Sequence, residues 1–178
     1  SQTIGITTAQ ARRGIFRQSV KVPGQVKFDH NAIYHLHPRV EGWIDRLHVS
    51  ARGERVAKGQ PLYSLYSPEL TNAQEEFLLA MRNGSNTLKQ ATKQRLLALS
   101  MPESALQHLE RTKRIQSSVT VNSPIDGILE MLPIREGFYV KPDSTVMSVA
   151  SLDTIWAEFA IPLRFASKVH VGQHIELS

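Results

Sequence analysis

The chain has 178 residues, 41% hydrophobic and 21% charged, which sets aside wholesale disorder and fits one ordinary domain or two small ones. Aromatics are 7%, too sparse for a platform that stacks single-stranded nucleic acid, and a net charge of +5 is a modest surplus spread along the chain. Cysteine is absent, which excludes disulfides, thiolate zinc sites and thiol catalysis, and no apolar run is long enough to span a membrane.

In chain order, Ser1-Gln2-Thr3-Ile4-Gly5 carries neither Met nor a signal-peptide apolar core, so the chain reads as processed or shortened. Ile15 to Phe28 reads as strands with a turn at Pro23-Gly24. Next comes a Gly-punctuated strand unit. Ile44, Leu47 and Val49 precede a turn at Arg52-Gly53-Glu54, Val56 precedes a turn at Lys58-Gly59-Gln60-Pro61, and Leu62 and Leu65 follow. From Pro68 the period changes to 3.6: Leu70, Ala73, Phe77, Ala80 and Met81 share one helical face. Ser67 stands as N-cap with Pro68 at the first helical position, and Gly84 ends the helix. Thr87-Leu88-Lys89-Gln90 has capping-box spacing before a stripe of Leu88, Thr92, Leu96 and Leu99. Ser100-Met101-Pro102-Glu103 repeats that spacing before Ala105, Leu106 and Leu109. Three short helices are predicted, with breaks near Gly84 and Ser100.

The strand unit then recurs. Val40-Glu41-Gly42-Trp43-Ile44-Asp45-Arg46-Leu47 is answered by Ile125-Asp126-Gly127-Ile128-Leu129-Glu130-Met131-Leu132. Gly53 and Val56 are answered by Gly137 and Val140, and Leu62 to Ser67 by Val146 to Ser151. One copy buries too little to stand alone, so the two are expected to pack as halves of one sandwich. Gly42 should overlie Gly127, and Val56 should overlie Val140. Ile155 to Ile161 alternates as a half-buried strand, Arg164 to Val169 reads as a helical turn, and Val171 to Leu177 as another strand. The flanking strands are expected to pair with each other.

The two half-motifs resemble the biotinyl/lipoyl fold. Val121 to Ile128, Glu136-Gly137, Val149 to Trp156 and Val171-Gly172-Gln173 are similar to periplasmic adaptor subunits, the membrane fusion proteins of tripartite efflux pumps. Ser67-Pro68-Glu69-Leu70, Ala73 to Leu78 and Leu96 to Glu103 are similar to their heavy-metal-efflux branch, the copper/silver type above all. The resemblance implies a mostly β fold with an α-helical insertion: a lipoyl-like sandwich (34–67 plus 118–151), a three-helix hairpin (68–117) and a partial β-barrel (1–33 plus 152–178). It implies a non-enzymatic periplasmic adaptor, associated with the inner membrane through parts outside this chain. Its implied partners are an inner-membrane resistance–nodulation–division (RND) transporter, an outer-membrane channel and further copies of itself in a ring, for export of heavy-metal cations.

The alternatives are a lipoyl or biotinyl carrier and a periplasmic metal-binding module. A carrier needs an acylatable lysine at the tip joining its halves. That joint is Leu65-Tyr66-Ser67-Pro68, and Lys58 and Lys141 lie elsewhere. No catalytic or cofactor-binding residue is assigned. For a transient cation such as Cu(I), Ag(I) or Zn(II), Met81, Met101, Met131 and Met147 are scattered, whereas His35 and His37 share a strand face with His30 near in sequence. His170 and His174 are four apart across a Gly172 turn. The helices mix Arg and Lys with Glu, a solvated surface, and no nucleic-acid motif is present.

Overall fold

Residues 10–14 and 19–176 are described, from a computed structural model. The Gly-punctuated runs form strands β1 (Gly24–Phe28), β2 (Ile33–Leu36), β3 (Gly42–Leu47), β4 (Arg55–Val56) and β5 (Pro61–Tyr66). The 3.6-residue stripes form helices α1 (Pro68–Arg82), α2 (Asn86–Ala98) and α3 (Glu103–Thr112). The second set of runs forms β6 (Ser118–Asn122), β7 (Gly127–Met131), β8 (Tyr139–Val140), β9 (Met147–Ala150) and β10 (Ile155–Phe159), with a short α4 (Leu163–Ala166). Two compact units hold them: Val26 to Trp156, and the residues up to Gln25 together with those from Ala157 onward.

The larger unit holds two four-stranded sheets, ordered β2-β9-β7-β4 and β6-β5-β3-β8. Their registers show the repeat residue by residue. Trp43 pairs with Tyr66 and Ile44 with Leu65, and in the other sheet Ile128 pairs with Ala150 and Leu129 with Val149. Both ladders shift register at the same place, between Ile44 and Arg46 and between Leu129 and Met131. The short strands cross over. β8 of the second copy pairs with β3 of the first, Gly42 opposite Val140, and β4 of the first pairs with β7 of the second, Val56 opposite Gly127. Ile44 N–H donates to the Phe138 carbonyl at 2.8 Å, and its counterpart Leu129 N–H donates to the Glu54 carbonyl at 2.9 Å. Each half therefore completes the other half's sheet.

Two glycines make this closure possible. A Cβ on Gly42 would run into the Tyr66 carbonyl oxygen, and a Cβ on Gly127 into the Ala150 carbonyl oxygen. The repeat keeps Gly at both because the neighbouring backbone occupies the space. Equivalent pairs then fill the core, Ile44 with Leu129, Val56 with Val140 and Leu65 with Val149, all buried. The same cluster continues into the helices through Leu70, Phe77, Leu96, Leu106 and Leu109.

The helices leave the sandwich between β5 and β6, whose last and first residues, Tyr66 and Ser118, are cross-strand partners. The number of helices, both breaks and the Ser67-Pro68 start of α1 follow the sequence pattern, but the other caps do not. Ser67 occupies the N-cap of α1 without a side-chain cap, its hydroxyl buried and unpartnered. The cap of α2 is Ser85, whose Oγ accepts from Leu88 N–H at 3.3 Å, and not the expected Thr87 box. Ser100 does not cap α3: it takes a left-handed φ of 61° closing α2, and Pro102 is the N-cap. Leu88 of the expected stripe is exposed, and α2 buries only Leu96 among its own residues.

β1 pairs with β10, as the flanks were expected to do. The expected turn at Pro23-Gly24 is not formed, since Gly24 opens β1, and the expectation for residues 15–18 lies outside the described residues. β10 is exposed at four of its five residues rather than half-buried. The expected strand from Val171 is absent through Glu176, and Leu177 lies outside the described residues. Among the described residues, no helix is long and apolar enough to cross a membrane.

Candidate functional site

A cleft of about 360 Å³ lies in the larger unit, where β2, β5, β6 and the α2–α3 connection come together. Strand alternation turns Leu36 toward the core and leaves its neighbours His35 and His37 exposed. Both histidines line the cleft, with Asn122 from β6 and Ser100 and Pro102 from the helix connection. Tyr63 of β5 also lines it, although the residue is only 1% exposed. Burial pushes the Tyr63 phenol up to about 12. The cleft is thus lined by two imidazoles and neutral polar groups beside the apolar Leu36, Pro102 and Val121, and no carboxylate lines it.

His37 Nδ1 lies 3.1 Å from the Ser144 carbonyl oxygen, which can only accept, so Nδ1 carries the proton and Nε2 of the neutral ring is the free lone pair. His30, the third sequence candidate, stands apart: its ring packs edge-on against Trp156, centroids 6.0 Å apart. His170 donates from Nδ1 to the Lys168 carbonyl at 3.2 Å. Among the described residues, no group of three or more His, Cys, Asp or Glu stands together as a metal cage. The sequence could place His35 and His37 on one strand face. It gave no sign of Tyr63 or of the helix connection, which reach the cleft only through tertiary packing.

Elsewhere, His48 Nε2 and Ser64 Oγ are 2.9 Å apart, and Ser64 Oγ lies 3.1 Å from Thr120 Oγ1, a polar ladder across three strands. The repeat's counterpart of Ser64 is Ser148, whose Oγ donates to Glu130 Oε2 at 2.5 Å. The two serines are equivalent but their partners are not, since Glu130 answers Asp45 in the repeat. Lys58 and Lys141 are exposed in turns, Lys58 N–H donating to Asp126 Oδ1 at 2.9 Å, and the joint between the halves holds no lysine. The hairpin is laced by ion pairs: Glu110 of α3 lies 3.7 Å and 3.8 Å from Lys89 and Lys93 of α2, and Arg95 reaches Glu76 of α1 at 2.5 Å.

Comparison with known proteins agrees with this architecture. The chain is 31% identical over 163 residues to the cation efflux system protein CusB of Escherichia coli K12, covering 91% of this chain and 40% of that protein. It is 29% identical over 178 residues to SilB of Salmonella typhimurium, covering 99% of this chain and 41% of that protein. It therefore spans about two fifths of the length of these relatives. The crystal structure of ZneB from Cupriavidus metallidurans has the same fold, with a TM-score of 0.54 at 21% identity over 85% of this chain and 74% of that one. The family described as the CusB barrel-sandwich hybrid domain matches residues 33–150. Those limits are Ile33 and Ala150, which face each other across β2 and β9, so the match takes in the whole sandwich and all three helices. The chain belongs to the CusB barrel-sandwich hybrid domain family.

Proposed function

We propose that the chain is the sandwich and hairpin of a non-enzymatic periplasmic adaptor that links an inner-membrane RND transporter to an outer-membrane channel for export of heavy-metal cations. The observation that carries this reading is the family match across an interlocked sandwich opened by a three-helix insertion. The relatives' names point the same way, cation efflux for CusB and cobalt-zinc-cadmium resistance for CzcB of Cupriavidus metallidurans, which is 22% identical over 98% of this chain. Within it, 34–67 with 118–151 form the lipoyl-like domain, 68–117 the hairpin that meets the channel, and 1–33 with 152–178 part of a barrel nearer the transporter. The full-length protein sits at the inner membrane and assembles into a ring. The cation, Cu(I), Ag(I) or Zn(II), is cargo and not a resident cofactor.

The test is growth of the host in graded copper, silver and zinc with the gene deleted and then restored at full length. Loss of tolerance on deletion and recovery on restoration are expected. Unchanged tolerance to all three metals overturns the reading.

A further inference from the structure

We propose that the cleft between β2, β6 and the α2–α3 connection is a two-histidine loading site for a borderline divalent cation, Zn(II) being the type, with His35 and His37 as its ligands. The proposal rests on the export reading for its purpose, and on the geometry of the cleft for its chemistry. His35 and His37 sit at alternate positions at the end of an edge strand, exposed, and both line one cleft. Imidazole nitrogen is a preferred ligand of zinc and similar borderline ions. A ligating imidazole is normally held by a hydrogen bond from its other ring N–H to an acceptor, which sets the tautomer and aims the lone pair. His37 has that bond already, from Nδ1 to the Ser144 carbonyl at 3.1 Å.

Tyr63 also lines the cleft and is 1% exposed. With its pKa raised to about 12 its phenol stays protonated, so it is not an anionic ligand.

Ligand count sets the lifetime of the complex. Structural zinc sites hold four protein ligands and catalytic sites three. Two ligands leave most positions to water, so the ion enters and leaves readily, as suits a cargo in transit. Ligand type sets the selectivity. Soft monovalent ions favour thioether and thiolate sulfur. No sulfur lines the cleft: Met101, between the lining residues Ser100 and Pro102, is buried in the core.

The experiment is calorimetric titration of ZnCl2 into the 178-residue chain in a non-chelating buffer, beside H35A, H37A and H30A. One saturable equivalent is expected, weakened by about tenfold or more in H35A and in H37A, and unchanged in H30A. The substituted side chains are exposed, and circular dichroism melting checks that each variant is folded. Saturable binding that persists in both H35A and H37A means an adventitious ion only and overturns the site, as does the absence of saturable binding. A parallel AgNO3 titration that is tighter than zinc and lost in the same two variants overturns the assignment to a borderline divalent ion. The site and the adaptor reading fail separately. Zinc tolerance that depends on the gene but not on His35 or His37 removes the site alone. Tolerance that does not depend on the gene removes the adaptor reading and leaves the titration result standing.

Discussion

Ser67 has no solvent exposure and its hydroxyl has no partner, at the point where β5 hands over to α1. A buried hydroxyl without a hydrogen bond costs stability, so Ser67→Ala should raise it by about 1 kcal/mol. Urea denaturation measures this, and a loss of stability would show that the hydroxyl makes a bond after all. The sequence placed Ser67 correctly before Pro68, but an N-cap letter carries no information about where its side chain points. Tyr63 gives a residue-scale pH effect. Its phenol titrates near 10 when unfolded and at about 12 in the fold. Below the lower value both states keep the proton. Above it the unfolded chain releases its proton first, so stability falls as pH climbs toward the higher value. Between about pH 9 and about pH 11 the loss should be about 1 kcal/mol more than in Tyr63→Phe. Identical pH slopes for the two proteins would remove this role. Of the cleft, the histidine spacing was legible in sequence. The phenol was not, because the repeat aligns it with Met147, a position that reads simply as core.

At the scale of elements, the hairpin closes on a single buried amide. Gln74 of α1 accepts from Gln116 N–H at 2.9 Å through Oε1 and donates to the Gln116 carbonyl at 3.0 Å through Nε2. It satisfies both backbone groups of the segment that returns the chain to β6. Gln74→Leu should cost about 2 kcal/mol by stranding them, and amide exchange at Gln116 should speed up before exchange elsewhere in β6. Exchange rising evenly across the molecule would show that Gln74 is only filler. The Arg95–Glu76 pair is a contrasting case. Both side chains are about half exposed, so Glu76→Ala should cost less than about 1 kcal/mol despite the short contact. The extent of each helix was readable because apolar stripes report a buried face directly. The caps were misread for a physical reason. The spacing S/T-x-x-E/Q recurs freely, and only backbone conformation decides which residue ends a helix. Ser100 in a left-handed conformation finishes α2 where the letters suggested it began α3.

Across the whole molecule, the repeat was legible because close backbone approach leaves no choice at Gly42 and Gly127. Gly42→Ala and Gly127→Ala should each cost about 2–3 kcal/mol by pushing apart β3 and β5 or β7 and β9. Lying in different sheets, their costs should add in the double variant. If one is tolerated and its counterpart is not, the two halves are not equivalent in energy. The exchange of β4 and β8 was not legible, since two-residue strands carry no period and their partners are chosen only when the halves close. One further property follows from Tyr66 facing Ser118 across the ladder. The chain leaves and re-enters the sandwich through neighbouring positions, as it would for a tight turn. The sandwich therefore sets no limit on how far the insertion reaches. Two added turns in α1, matched by equal length in the returning helices, lengthen the projection by about 10 Å at 1.5 Å per residue while every strand keeps its register. Reach and platform are separate variables in this fold, and insertions or deletions of whole turns can tune the span of the hairpin to a new distance without redesigning its base.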